Sequence, residues 1–470
     1  MLLKKLIFIN RCYWPDSEST GQLLTELCEF LAPRWDVSAV VGQPNWGTAM
    51  ESFIRSGIQI QNGVEIHRLL HSQRSKGQRF SRIRNLVSFT FSVRKWGKRW
   101  PSVPFGFLRS REDSPSPQAS LPRAGERGIG DGAIIICETD PFLLPLVVGP
   151  LARRTKSRVI YYLQDIYPDV AIAVGVAKNN VIIRMLRSRL KREYMRADAI
   201  IVLDEDMRDR LVGWGLPADR MKIVPNWMDC SVVKPMKSNN PFRLEHGVDD
   251  QFVVMHSGNM GMTQRLDVLV DAMRLVDKVA SACGSGRESQ PVGDAGEADP
   301  RLRRLNIGGE DVASYGSKRH VTLMMVGNGV KRVELEAQAR GAVHVRFLDY
   351  QPRESLSASL SAADLHVVSM DQAITGCLAP SKLYGILASG TPVLAIVPKG
   401  NAVWRLVEKE RIGWKVEPGD TAGVAQAIRN AESLDRSQLL AMGNRGRVLA
   451  ETLFDKRICC EAFEGIMHSV

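Results

Sequence analysis

Short runs of β-branched and apolar residues alternate with amphipathic stretches through both halves of the chain, and this alternation constrains the fold more than any other feature. It is the pattern of βαβ units, in which a parallel sheet carries helices on both faces. In the first half, strands are expected at Lys5 to Asn10, Val37 to Val41, Val64 to Leu70, Ala133 to Cys137, Arg158 to Leu163, Ala199 to Leu203 and Lys222 to Val224. In the second half they are expected at Phe252 to Ser257, Val321 to Val326, Val343 to Phe347, Leu365 to Ser369, Val393 to Val397 and Trp414 to Val416. Two doubly wound, Rossmann-like α/β domains follow, and 470 residues are enough for two large cores. The boundary belongs after IVPNWMD, because Lys234 to Pro241 carries two prolines and polar residues suited to a linker. The domains are therefore expected over 1–234 and 235–436. Beyond them, 437–470 reads as one or more helices, more than the second sheet needs, packing back on the first domain.

Two segments read as insertions: 109–132, rich in Ser, Pro and Gly, and 282–319, studded with glycine. Such compositions bury too little apolar surface to offset chain entropy, so both are expected to be loops without chemistry. Ile66 to Arg111 differs in kind, holding twelve Lys or Arg and no Asp or Glu. Within it Leu86, Phe89, Val93, Trp96 and Trp100 recur at helical spacing, so Arg79 to Trp100 predicts a basic helix with a Trp-bearing stripe. Two readings stand: an interfacial helix docking on an anionic membrane surface, or a core-facing helix with a solvated basic back.

The formal charge of +12 implies an anionic partner, whether nucleic acid, membrane face or phosphate-bearing substrate. Eight cysteines without a CxxC or a Cys/His ladder indicate neither zinc nor a disulfide framework, and a reducing cytoplasm fits them. The opening MLLKKLIFIN lacks the apolar centre of a signal peptide and reads as a first strand. The longest apolar run, Pro141 to Ala152, falls short of the roughly 20 residues that cross a bilayer, so no transmembrane span is expected.

Several strand ends run into turns with chemical potential. Thr20 and Gly21 open the first helix, whose free amides and positive dipole end suit a phosphate, although an ordinary helix start reads the same way. Gly258-Asn259-Met260-Gly261 and Gly327-Asn328-Gly329 each follow a strand, where small residues let backbone approach a diphosphate. Lys382, just after Pro380-Ser381, can set a point charge beside a helix N-terminus. Asp204-Glu205-Asp206 reads as an acidic helix start rather than a metal pair, and the eight histidines share no ligand spacing.

Together, the stretch that opens YWPDSESTGQLLTEL at Tyr13, YYLQDIYPDVAIAVG at 161–175, IVPNWMD at 223–229, HSGNMGMTQRLDVLVDA at 256–272 and APSKLYGILASGTPVLAI at 379–396 resemble family 4 glycosyltransferases of the colanic-acid and capsule branch. The resemblance implies a GT-B fold, with an N-terminal acceptor domain and a C-terminal nucleotide-sugar domain. It implies a retaining transfer from a UDP- or GDP-linked donor to a glycan or lipid-linked acceptor, without metal, with no cofactor beyond the nucleotide sugar as co-substrate and no nucleic-acid partner. Carried onto this sequence, the donor would meet Gly258, Asn259, Gly261, Gln264, Arg265, Asn328, Gly329, Ser381, Lys382 and Leu383, and the reacting centre Gln164 and Asp165, with Asp169 able to orient the acceptor.

The sequence departs from the family at three points. Met262-Thr263-Gln264-Arg265 leaves Arg265 as the nearby cation where many members have a lysine. The family's pair of glutamates is replaced by Cys377 and Gly385. Gln164 stands where many relatives carry a histidine; a glutamine cannot act as a base but can hydrogen-bond a sugar hydroxyl. The rival readings are a nucleotide-sugar epimerase of the same fold, a non-catalytic polysaccharide-assembly protein descended from the enzyme, and a nucleic-acid binder supported by charge alone.

Overall fold

The computed structural model describes residues 4–16, 18–44, 56–73, 79–100, 133–284 and 319–470. The first expected insertion, 109–132, lies outside them, as does 285–318 of the second.

Apolar runs of four to six residues form most of the inner strands because they are buried on both faces, as parallel sheets require. The first sheet contains β1 (Lys5–Ile9), β2 (Asp36–Val41), β3 (Gly57–Gln61), β4 (Val64–Arg68), β5 (Ile134–Glu138), β6 (Arg158–Tyr162), β7 (Ala199–Val202) and β8 (Met221–Ile223). Their spatial order is β3-β4-β2-β1-β5-β6-β7-β8. Its helices are α1 (Ser19–Leu31), α2 (Arg79–Arg99), α3 (Pro145–Thr155), α4 (Asp169–Ala173), α5 (Val181–Tyr194) and α6 (Glu205–Gly213).

The second sheet contains β9 (Phe252–Ser257), β10 (Val321–Val326), β11 (Val345–Leu348), β12 (Leu365–Ser369), β13 (Val393–Ile396) and β14 (Gly413–Val416), in the order β11-β10-β9-β12-β13-β14. With it go α7 (Pro241–His246), α8 (Leu266–Gly284), α9 (Arg332–Gln338), α10 (Leu356–Ser361), α11 (Lys382–Ala388), α12 (Ala402–Glu410) and α13 (Thr421–Glu432). Two further helices, α14 (Arg436–Leu453) and α15 (Lys456–Ser469), follow.

Every strand pair is parallel except β3 with β4, an antiparallel hairpin around Asn62-Gly63 at the sheet edge. The chain order reverses between β1 and β5 in one sheet and between β9 and β12 in the other. Those are the points where doubly wound sheets open crevices at the carboxyl ends of their strands.

Two features outside the sheets shape the molecule. Phe463 of α15 lies in the core of the first domain, its ring 5.1 Å from Tyr162 and 6.5 Å from Phe8, while Glu464 accepts from Arg34 at 2.8 Å and from the Trp35 indole at 2.7 Å. Phe89 and Val93 of α2 and Trp100 just after it are buried in that same core, and Trp96 packs against it. The stripe therefore faces inward, as in the core-facing of the two readings: the sheet layer needs those side chains to close its core.

Candidate active site

The two glycine turns of the second domain form one tight surface. Gly258 and Gly327 end the neighbouring strands β9 and β10 with φ of +114° and +125°, values only glycine adopts without strain. A Cβ on Gly327 would lie 2.3 Å from the Gly258 carbonyl oxygen, and one on Gly329 would lie 2.4 Å from that of Met260. Met260 N–H donates to the Asn328 carbonyl at 2.8 Å, which ties the turns together. Gly261 faces the Asn259 side chain, and the Asn328 side chain caps the Gly329 amide at 2.7 Å.

Lys382 begins α11 and lays its stem over this surface. Its Cε would sit 2.7 Å from a Cβ on Gly258, and its Nζ donates to the Asn259 carbonyl at 2.8 Å and stands 3.3 Å from His256 Nε2. Burial pushes the amine down to about 7, and no carboxylate offsets that shift. His256 beneath it is fully buried and held neutral by burial and by the lysine. An anion brought to this turn would give Lys382 the charge partner it lacks. Ser381 precedes it at the helix start without a side-chain cap, and Leu383 turns into the core.

Arg265 is committed elsewhere. Its guanidinium pairs with Asp267 at 2.8 Å, so the cation expected to meet the donor is already neutralised. A different cation is close: Lys331, which ends the Gly327-Asn328-Gly329 turn, donates to the Gln264 carbonyl at 3.1 Å. Sequence reasoning missed it, although a lysine two residues after a Gly-Asn-Gly turn is a recognisable signal.

Gln164 and Asp165 follow β6 in the first domain and touch the second. Asp165 bridges to Leu378, and Ile166 N–H donates to the Cys377 carbonyl at 2.7 Å, so these residues abut the segment leading to Ser381 and Lys382. Burial and then Asp140 push the Asp165 carboxyl up to about 6. Gln164 Oε1 accepts from Asn226 at 3.0 Å, and Asn226 in turn accepts from the Tyr162 hydroxyl at 3.3 Å. Beside Gln164 lies Glu138, which ends β5 at the switch point. It is buried against the Gln164 amide, with no close hydrogen bond to either carboxylate oxygen among the described residues, and burial, then Asp140, raises its carboxyl well above the usual range. It was missed in the sequence, where an acid closing an otherwise apolar strand was its only sign.

The remaining expected residues make contacts within the fold. Gly21 packs against the Tyr13 backbone, 3.1 Å from where its Cβ would be, and Glu18 stands at the start of α1 with its carboxylate near Arg11. The Glu18 carboxylate lies near Cys12 and Arg11 and does not cap the helix. Asp169 accepts from Arg187 at 2.5 Å, Arg210 at 3.0 Å and Trp214 at 3.3 Å, so both its carboxylate oxygens are engaged within the first domain. Asp204 caps α6 through the Met207 amide at 2.8 Å. Cys377 is buried, and a side chain on Gly385 would press on Met228 and Leu360. Cys12, Glu18 and Asp140 converge closely enough to ligate an ion, but Arg11 already pairs with Asp140 at 2.8 Å.

The sequence model "Glycosyl transferase 4-like domain" matches residues 20–227, and "Glycosyl transferases group 1" matches 310–432. The probable glycosyltransferase WbjE of Pseudomonas aeruginosa is 24% identical over 71% of this chain and 73% of its own length. The putative colanic acid biosynthesis glycosyl transferase WcaI of Escherichia coli K12 is 22% identical over 65% of this chain and 66% of its own. The fold matches that of HepE of Anabaena, solved with UDP, at a TM-score of 0.63 over 99% of this chain and 100% of that one, with 16% identity. Each half of the chain thus carries its own glycosyltransferase domain over a doubly wound sheet, and the protein belongs to the family 4 glycosyltransferases of GT-B fold and colanic-acid type.

Proposed function

We propose that this glycosyltransferase transfers a sugar from a UDP- or GDP-linked donor to a glycan or lipid-linked acceptor in cell-surface polysaccharide biosynthesis. The observation that carries the donor assignment is Lys382, lying over the Gly258–Gly261 turn without a carboxylate partner among the described residues. HepE complexes with UDP and with UDP-glucose favour UDP, and the colanic-acid role of WcaI favours a polysaccharide acceptor. We assign residues 1–234 to the acceptor, 235–436 to the donor, and 437–470 to helices that brace the first domain.

In this reading the nucleotide diphosphate lies on the Gly258 and Gly327 turns, with Asn259, Gly261, Asn328 and Gly329 supplying close backbone, Ser381 and Lys382 the helix start and charge, and Gln264 and Leu383 flanking contacts. Lys331 joins Lys382 in stabilising the leaving diphosphate, the main electrostatic demand of the reaction. The sugar keeps its anomeric configuration because the leaving diphosphate takes the proton of a hydroxyl attacking from the same face. Gln164 and Asp165 hold that hydroxyl, and two lysines in place of a divalent ion make the transfer metal-independent. The protein works in the cytoplasm, peripheral to the inner face of the membrane; no helix among the described residues is long and apolar enough to cross one.

Calorimetry against UDP, GDP and dTDP tests the donor site. Binding of one nucleotide class, weakened at least about tenfold by Lys382→Ala and less by Arg265→Ala, is the expected result; equal affinity in wild type and Lys382→Ala removes the assignment. NMR of the product's anomeric proton, with and without EDTA, tests stereochemistry and metal independence. A second reading, a binding protein without transfer activity, draws on Cys377 and Gly385, which replace the family's glutamates. Nucleotide binding with no donor turnover would select it.

A further inference from the structure

Helices α5 and α6 of the first domain wall a groove of about 810 Å³, a size that holds a small ligand. Arg184, Arg187, Ser188 and Lys191 line it from α5 at spacings of three and four, so a single face of that helix is turned to it. Asp206, Asp209 and Arg210 line it from α6, with Trp214 just beyond, and Thr375 of the second domain joins them.

The carboxylates of the groove are already neutralised. Buried Asp169 holds Arg187 at 2.5 Å and Arg210 at 3.0 Å, two cations on one acid. Asp206 pairs with Arg405 at 3.0 Å and accepts the Ala402 amide at 2.7 Å, while Asp209 pairs with Arg208 at 2.9 Å. Arg184 and Lys191 have no carboxylate partner among the described residues, so positive charge is in excess. An apolar wall stands beside it: the Trp214 indole N–H donates to Asp169 at 3.3 Å, and the Arg187 guanidinium lies 5.6 Å from the ring centroid. One carboxylate thus fixes two guanidinium groups and an indole before any ligand arrives, which lowers the cost of ordering them on binding.

The groove adjoins the contact between the domains. Arg210 also donates to the Thr375 carbonyl at 2.7 Å, and Leu378, three residues on, bridges to Asp165. Asp169 follows Asp165 by four residues, at most about 14 Å of extended chain. Charge and apolarity together select the ligand. A bare inorganic anion leaves the indole unused, and a neutral sugar leaves Arg184 and Lys191 without a partner. A sugar that carries an anionic group uses both, its carboxylate or phosphate on the cations and the C–H face of its ring on the indole.

We propose that the α5–α6 groove is a subsite for an anionic sugar of the acceptor glycan. This rests on the glycan acceptor of the reading above and adds its charge: with the reacting hydroxyl at Gln164 and Asp165, a neighbouring sugar of the same chain extends along α4 and sets its carboxylate or phosphate between Arg184 and Lys191.

Calorimetry on the full chain with cellobiose, its terminal uronate and its terminal phosphate ester tests the subsite, with UDP titrated in parallel. At least one anionic disaccharide is expected to bind at least about tenfold more tightly than cellobiose. Arg184→Glu with Lys191→Glu should abolish that preference, Arg184→Lys with Lys191→Arg should keep most of it, and neither should change UDP affinity. Tighter binding of the uronate assigns a carboxylate-bearing sugar, and tighter binding of the ester a phosphorylated one. The proposal falls if the three disaccharides bind alike or not at all, or if the double glutamate variant keeps the preference. It also falls if inorganic phosphate displaces the disaccharide as well as the disaccharide displaces itself, or if UDP competes with it, which would put the sugar on the donor turns. Failure of wild type to bind UDP counts instead against the donor reading, so the two failures are distinct.

Discussion

Arg353 of the second domain donates to Glu26 of α1 at 2.6 Å, and the same carboxylate accepts the Trp227 indole N–H at 3.0 Å. The pair joins the two domains, yet the Arg353 side chain is 56% exposed, so solvent screening leaves it worth about 0–1 kcal/mol. Its effect belongs to domain spacing rather than stability. Arg353→Glu is expected to leave Tm nearly unchanged while broadening the interdomain distance distribution in X-ray scattering, and Glu26→Arg on top of it to restore the narrow form.

The amine of Lys382 is pushed down to about 7, and a diphosphate beside it would raise it again. Below about 7 the amine is already charged, whereas above it binding must draw a proton from solvent. UDP affinity is therefore expected to fall as pH rises from 7, by up to about tenfold per unit. Lys382→Ala should flatten that slope. Calorimetry in buffers of different ionisation enthalpy would register the proton taken up.

Glu138 stays protonated in the folded chain while an unfolded chain would release its proton, so its contribution makes the fold less stable as pH rises above the ordinary carboxyl range. Glu138→Gln keeps the shape and removes the penalty. Thermal melts are expected to show a gain of about 1–3 kcal/mol that is larger under alkaline than under acidic conditions. A loss of stability in the glutamine variant would mean that the carboxyl is paired.

Restoring the family's glutamate at position 385 should harm this protein. A side chain there meets Met228 and Leu360 at 3.2 and 3.3 Å on a buried face of α11. Gly385→Glu is expected to cost about 1–3 kcal/mol by overpacking, with more from the buried charge. Denaturant melts of Gly385→Ala and Gly385→Glu would separate the two.

Much of the fold was legible because a strand buried on both faces reads as a continuous apolar run, and β1, β6, β10 and β12 are such runs. β3 was not, since Gly57–Gln61 alternates Ile with Gln and leaves Ile60 55% exposed at an edge. The Trp stripe of α2 had the periodicity of an interfacial helix and of a core helix alike, and only the packing of Phe89 and Val93 separates them. In the site, the glycine turns were readable from their small residues at strand ends. The capture of Arg265 by Asp267 was not, because a pair two residues apart depends on how the loop folds. Nor did sequence spacing bring His256 beneath Lys382, since strand β9 and helix α11 meet only through the sheet.

The seating of Phe463 among Phe8 and Tyr162 bears on how the chain is made. The strands of the first sheet leave the ribosome well before α15, so their domain cannot complete its interior until residues past 458 are free. Order of translation and order of consolidation are thus uncoupled here. During that interval the unfinished sheet exposes the apolar face that α15 later covers.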